Sequence, residues 1–412
     1  MYVSDHDLSG LQDWSARTDR IFRTADGRFV GLHPPDLISP RYLPARPAMG
    51  VGQPVPNPCP ANTIPQCDPP DSPAANCFRE AFAGRWCVPG NAASPTCRPL
   101  PAPPAPRAIR RIVIHTIAGA SMSAIVNRTA TVLGRGTSSH YYVFRNGCII
   151  QMVREANVAF HVGAFNPESI GIEHADICND PAPYTLQLYE RSAELVREIL
   201  TRNGLPSRVF GIDTNNRNDA TVIAHSDRVP GHHGDPGPYW DWEYYARLLK
   251  WNGQNGADRP VRLVATAAAA GAAPAGWQVQ NRRNIRVSRC ANRNDPYGSS
   301  YWRARANTPG SDVVSQFSLN QPGLYKVSLW WPRVAGANRG TQVHVEVQKA
   351  GGPAMADAIL DQSRRSGRWN DVGPPFTFTV PSSGAQVKVV VRRSSRTPGW
   401  IIADAVRVLR VG

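Results

Sequence analysis

Apolar and polar positions follow three different patterns along the 412-residue chain. Between residues 107 and 252, short apolar runs end on polar side chains: Ile112–Val113–Ile114 leads into His115, Ile170 to Ile172 into Glu173, and Val222–Ile223–Ala224 into His225. Runs this short and this apolar predict strands buried by their neighbours, with the polar residue at the strand mouth projecting into a cleft at the sheet's edge. Tyr189, Ala193, Val196 and Leu200 recur at helical spacing, and Asn203–Gly204 supplies a stop signal. This helix is expected to cover one face of the sheet, with its Glu and Arg residues on the solvated side. From residue 276 onward the pattern changes. LYKVSLWWP, TQVHVEVQ, FTFTVP and QVKVVVRR alternate with period two, or are β-branched runs, between Gly, Pro and Ser. They predict a β-sandwich.

Composition divides the chain further. Residues 34–106 hold 20 of the 38 prolines and five of the eight cysteines, Cys59, Cys67, Cys77, Cys87 and Cys97. Proline at that density excludes long helices and central strands, so residues 1–106 read as an irregular arm of extended, turn-rich chain. The cysteine spacing of 8, 10, 10 and 10 is not a zinc-knuckle pattern and favours disulfide staples. Five is an odd number, so at least one is free or pairs outside the segment, with Cys148, Cys178 or Cys290 as candidates. Residues 253–275 are rich in small side chains and read as a linker. The expected domains are therefore 1–106, 107–252 and 276–412, the last two joined by 253–275.

Charge is uneven as well. Residues 276–412 carry 20 Lys and Arg against 7 Asp and Glu, a net +13 of the chain's total +15. Attraction for polyanions belongs to this part, mostly through arginine, whose planar fork suits phosphate and carboxylate. No RNP-type, zinc-finger or helix-turn-helix pattern turns that charge toward nucleic acid. No apolar run is long enough to span a membrane.

The stretch VIAHSDRVPGHHGDPGPYWDW, residues 222–242, concentrates the candidate chemistry. His225 ends an apolar run and Asp235 follows ten positions on, in a Gly/Pro-rich loop that turns the carboxylate outward. An imidazole and a carboxylate from adjoining loops are zinc ligands in search of a third, for which His115, ending RRIVIHT, is the best candidate. A His/His/Asp set leaves one coordination position open, the pattern of a catalytic rather than a closed structural zinc.

The segments RRIVIHT, SSHYYVFRNGCIIQMV, AFHVG, NPESIGIEHAD and IAHSD…DPGP follow one another in an order that resembles the zinc-dependent N-acetylmuramoyl-L-alanine amidases of the peptidoglycan-recognition-protein-like fold. The resemblance covers roughly Arg107 to Trp251. It implies an α/β domain with a central mixed sheet flanked by helices, Zn2+ as cofactor, peptidoglycan as substrate, and His115, His225 and Asp235 as metal ligands. It further implies Glu173 as general base. Some members carry tyrosine where this chain has Ser139, and many carry lysine where it has His233, which then takes the oxyanion-steadying role. His161 in AFHVG is a candidate for the substrate groove, with a structural role as the alternative; His140 and His174 read as packing or groove residues, and His232 competes with His233 for the cleft.

The strings DPYGSSYWRA, GLYKVSLWWP, SGRWNDVG and GWIIADAVRV resemble golvesin-like domains related to carbohydrate-binding modules, over roughly Gly276 to Gly412. That likeness implies a sandwich whose exposed aromatics stack on sugar. Tyr301, Trp302, Trp331, Trp369 and Trp400 are the candidates, with Trp331 and Trp400 foremost, and one of Trp330 and Trp331 is expected in the core because strand neighbours face opposite sides.

The resulting expectation is a peptidoglycan hydrolase of phage or particle origin, held on anionic envelope polymers by its basic C-terminal domain. A non-catalytic wall-binding component of a virion or injection apparatus, fastened by the arm, is the alternative. The first residues, MYVSDHDLSGLQDW, have neither the basic start nor the apolar core of a secretory signal. Arrival at the wall is therefore expected by lysis, by special export or on a particle. A histidine at position 233 is positively charged only when protonated, which predicts a steeper pH dependence than lysine would give. A flat activity profile between about pH 5 and 8 would exclude that role.

Overall fold

The computed structural model describes residues 107–117, 138–174, 184–228, 233–251, 256–267, 269–281, 295–348, 353–373, 377–381 and 384–412. Before residue 107 it describes only the backbone of short strands, so the irregular arm of residues 1–106 otherwise lies outside the described residues. Cys148 is disulfide-bonded, to a cysteine whose side chain is outside them.

Four strands come first: β1 (Arg111–Thr116), β2 (Tyr141–Val143), β3 (Ile149–Gln151) and β4 (Ser169–His174). Helix α1 (Leu186–Arg202), β5 (Val222–Ala224), the single turn α2 (His225–Arg228) and α3 (Trp242–Lys250) follow. The sheet runs β5–β1–β4–β2–β3, with the two-residue strand Cys77–Phe78 at its far edge. β5, β1, β4 and β2 pair in parallel, and β2 and β3 form an antiparallel hairpin. This is the mixed sheet expected. The α1 stripe is buried as predicted; Thr185 caps its start by accepting from the Leu188 amide, and Gly204 follows its end at φ +63°. One of its polar residues departs from expectation. Arg191 is buried, its Nε–H donating to the Gly147 carbonyl at 3.3 Å.

The C-terminal part is all β. Its strands are β6 (Arg262–Thr266), β7 (Gln278–Asn281), β8 (Ser300–Arg305), β9 (Val313–Leu319), β10 (Gly323–Trp330), β11 (Thr341–Gln348) and β12 (Ala354–Leu360). They continue with β13 (Asn370–Asp371), β14 (Thr377–Val380), β15 (Ala385–Ser395), β16 (Trp400–Ala403) and β17 (Ala405–Arg410). Antiparallel sheets β6–β17–β10–β13, β7–β8–β16 and β9–β15–β11–β12 enclose one apolar core containing Val327, Val345, Val389 and Ile401.

Two expectations are corrected here. The stretch read as a linker, residues 253–275, contains β6, which pairs along its whole length with β17. Small side chains surround the strand in sequence, yet its own Leu263 and Val264 pack against the two apolar cores. The second correction concerns Trp330 and Trp331. They do face opposite sides, but both are buried, each only 2% exposed. Trp331 lies in the C-terminal core, where its indole N–H donates to the Arg364 carbonyl, so it offers no face to sugar. Trp330 faces outward into a core shared with the first domain, stacked on Tyr239 at 5.4 Å. Trp302 is buried too.

The shared core brings Tyr239, Trp240, Tyr244 and Leu248 against Tyr297, Trp330, Ala405 and Leu409. At its centre Asp241, which caps α3 by accepting from the Tyr244 amide, pairs with Arg262 and Arg407, both at 2.7 Å. Glu243 pairs with the same Arg407 at 2.9 Å and with Lys326 at 2.7 Å. The two arginines hold the Asp241 carboxyl down at about 2 against the upward push of burial. Removing one member of such a group strands the others without compensation, at a cost of about 3–5 kcal/mol. Asp241→Ala should show that loss in denaturant unfolding, whereas Arg364→Ala, which breaks the exposed pair to Asp361, should change stability by less than about 1 kcal/mol.

Candidate metal centre

Alternation along β1 and β4 builds the site. Ile112 and Ile114 point into the main core against α1, whereas Val113 joins a smaller cluster with Val162, Ala220 and Ile223 on the opposite face. His115, two residues beyond Val113, shares that second face. In the parallel register His115 stands opposite Glu173, and Ile114 opposite Ala224, the last residue of β5. His225 is the next residue, so three strand mouths deliver His115, Glu173 and His225 side by side.

Asp235 arrives from the loop after α2. Its carbonyl accepts from the Ser226 amide at 3.1 Å, and the next carbonyl, that of Pro236, accepts from the Tyr184 hydroxyl at 2.6 Å. Thr116 Oγ1 bonds Tyr184 in turn at 2.9 Å, which ties the loop to the end of β1. Tyr184 carries no periodic signal in the sequence.

The three candidate donor atoms form a nearly equilateral triangle. His115 Nδ1 is 3.1 Å from His225 Nδ1 and 3.1 Å from Asp235 Oδ2, and His225 Nδ1 is 3.2 Å from the same oxygen. A tetrahedral zinc with bonds of about 2.0–2.1 Å places its ligands roughly 3.3 Å apart, so this donor set fits that ion. Among the described residues, this is the one grouping of three such side chains close enough to share a metal. Burial would raise the Asp235 carboxyl, but its close contacts with the His115 and His225 rings overcome that and hold the group below the usual range. Burial lowers the His115 imidazole, opposed by Asp235. The donors are thus a carboxylate and a neutral ring, the forms that bind metal.

Glu173 supplies the second feature. Part of the residue reaches solvent, yet its Oε2 is buried with no hydrogen-bond partner. Burial, and then the Asp235 charge, push its carboxyl well above the ordinary value. An unpartnered buried oxygen beside three convergent donors is a group awaiting a proton or a cation. His233 is exposed and stacks on His225 at 3.9 Å with an interplanar angle of 18°, at the rim of the triangle. His232 lies outside the described residues.

His140 and His174 have settled partners. His140 Nδ1 accepts from the Gly171 amide at 3.0 Å, and His174 Nδ1–H donates to the His115 carbonyl at 2.9 Å. Burial lowers both rings to about 3. His161 is half-buried and bonded through Nδ1 to His115 Nε2 at 3.0 Å.

Residues 105–238 match the family model described as N-acetylmuramoyl-L-alanine amidase, and residues 286–410 match the golvesin C-terminal domain. N-acetylmuramoyl-L-alanine amidase A of Achromobacter lyticus is 31% identical over 160 residues, covering 35% of this chain and 85% of that protein. Similar solved structures include N-acetylmuramoyl-L-alanine amidase LysC from Clostridium intestinale URNW, at 18% identity over 35% of this chain and 86% of that one, TM-score 0.27. Another is Staphylococcus aureus hydrolase AmiA in complex with its ligand, at 19% identity over 42% and 80%, TM-score 0.31. The family match takes in the strand ends and loop that carry His115, Glu173, His225 and Asp235, and the Achromobacter relative is covered over most of its length, so this chain belongs to the N-acetylmuramoyl-L-alanine amidase family.

Proposed function

We propose that the chain hydrolyses the peptidoglycan amide between the lactyl group of N-acetylmuramic acid and the L-alanine of the stem peptide, with Zn2+ held by His115, His225 and Asp235. The observation that carries this reading is the triangle of donor atoms 3.1–3.2 Å apart beside the unpartnered Oε2 of Glu173. When bound, Zn2+ supplies a Lewis acid that polarises the amide carbonyl and lowers the pKa of water toward ~7. Glu173 takes the proton of the attacking water and passes it to the departing amine, a role worth about 10²–10⁴-fold. Its raised proton affinity suits both halves of that exchange. His233 donates an N–H to the developing oxyanion from the rim.

Residues 107–252 form the catalytic unit in this reading, and the β-rich part from residue 256 is its packed partner rather than a tethered module. Arg303 and Arg305 lie over the Trp400 ring at 4.2 and 4.0 Å, joining positive charge to an aromatic surface. That pairing supports contact between this face and an anionic sugar polymer of the envelope. The arm, residues 1–106, would fasten the enzyme to a virion or injection particle. Action on peptidoglycan is extracytoplasmic, at the bacterial wall; among the described residues no helix is long and apolar enough to cross a membrane.

Purified sacculi digested with the protein should release new N-terminal alanine, and a chelator should abolish it; the same yield in both samples would remove zinc from the reaction. Glu173→Ala should retain zinc and lose about 10²–10⁴-fold in kcat, whereas His115→Ala should lose both zinc and turnover. A fully active Glu173→Ala would reassign the base.

The folded, metal-free protein holds the Glu173 proton more tightly than the unfolded chain does. Its stability therefore drops as pH rises from the ordinary carboxyl value through the raised one. Glu173→Gln should stabilise the metal-free protein at pH 7 by about 0.5–2 kcal/mol, with the difference closing near pH 4. Thermal unfolding at the two pH values measures it.

A further inference from the structure

A chain of hydrogen bonds runs back from the metal donors into the domain. His115 Nε2 is 3.0 Å from His161 Nδ1, His161 Nε2 is 3.2 Å from Ser169 Oγ, and Ser169 Oγ donates to the Phe165 carbonyl at 2.7 Å. A carbonyl can only accept, so the proton of Ser169 is committed to Phe165. Ser169 must then accept from His161 Nε2–H, which leaves Nδ1 of the neutral His161 ring as a bare acceptor. His115 must in turn donate from Nε2. The lone pair on His115 Nδ1 is left facing His225 and Asp235.

We propose that His161, locked by Ser169 and the Phe165 carbonyl, is a positioning residue that sets the tautomer of His115 and so readies Nδ1 for the metal. This rests on the zinc reading above. Two further features support it. Asp235 Oδ2, 3.1 Å from His115 Nδ1, would draw the proton to the wrong nitrogen in the metal-free state, so the ring needs an opposing partner on its far side. The sequence also makes room for that partner: a Cβ on Gly171 would come within 2.5 Å of the His161 ring, so glycine in the middle of β4 is what lets the ring lie against the sheet. Metal-bound histidines are commonly oriented by an acceptor on the second nitrogen, and losing that acceptor typically costs 10–100-fold in affinity.

The test uses the full chain and zinc alone, titrated against a competing chelator. His161→Phe keeps a ring beside Gly171 but offers no acceptor, and should weaken zinc binding about 10–100-fold. His161→Asn places an amide oxygen near the position of Nδ1, and should recover most of that loss. Nitrogen-15 NMR of the metal-free protein should find the His115 proton on Nε2 in the wild type and on Nδ1, toward Asp235, in His161→Phe. Wild-type affinity in His161→Phe, equal losses in the Phe and Asn variants, or a proton on Nδ1 in the wild type would each overturn the proposal. A wild type that binds no zinc but carries the proton on Nε2 would instead count against the zinc reading while leaving the tautomer assignment standing.

Discussion

Parallel register is the constraint on which the rest of this structure depends. β5, β1 and β4 lie side by side and run the same way, so residues distant in sequence come out at one mouth of the sheet. His115 and Glu173 are direct register partners, and His225 follows a residue paired one step earlier. A slip of one position in β1 would move His115 to the helix-covered face and bury Ile114 against the cleft. The apolar sets on the two faces, Ile112 and Ile114 on one and Val113 on the other, hold that register.

Convergence of ionisable groups costs stability, and the domain offsets it through fixed partners. His140 and His174 each have a committed donor or acceptor, and both stay neutral in the interior. At the candidate site Glu173 differs, with an oxygen left unpartnered. Sites of this kind trade folding stability for chemistry, and the compensation is found elsewhere. Here that place is the junction of the two domains, where Trp330 stacks on Tyr239 and Asp241 bridges two arginines from the β-rich part. The C-terminal domain thus forms part of the enzyme's own core, and α3 is capped by the same carboxylate that binds the neighbouring domain.

Much of the architecture was legible in the chain. The strand ends at His115, Glu173 and His225, the α1 stripe with its Asn203–Gly204 stop and the alternating C-terminal strands all follow from periodicity and turn chemistry. Elsewhere the deciding contact is remote. β6 looks like linker in sequence because its partner, β17, lies far along the chain. Arg191 looks solvent-facing because nothing local reports the Gly147 carbonyl. Trp331 looks available to sugar because alternation predicts which side a residue faces, but not what covers that side.

By itself, then, the sequence determined the kinds of elements, the strand ends that carry the candidate donors His115 and His225, and the sign of the C-terminal charge, because these are local in residue type and spacing. Tertiary structure alone decided that the candidate donor atoms close to 3.1–3.2 Å, that His161 bonds the far nitrogen of His115, and that two domains share one core. Distances and second partners depend on where separate strands and loops come to rest. That position is set by the packing of the whole chain, on which local pattern carries no information.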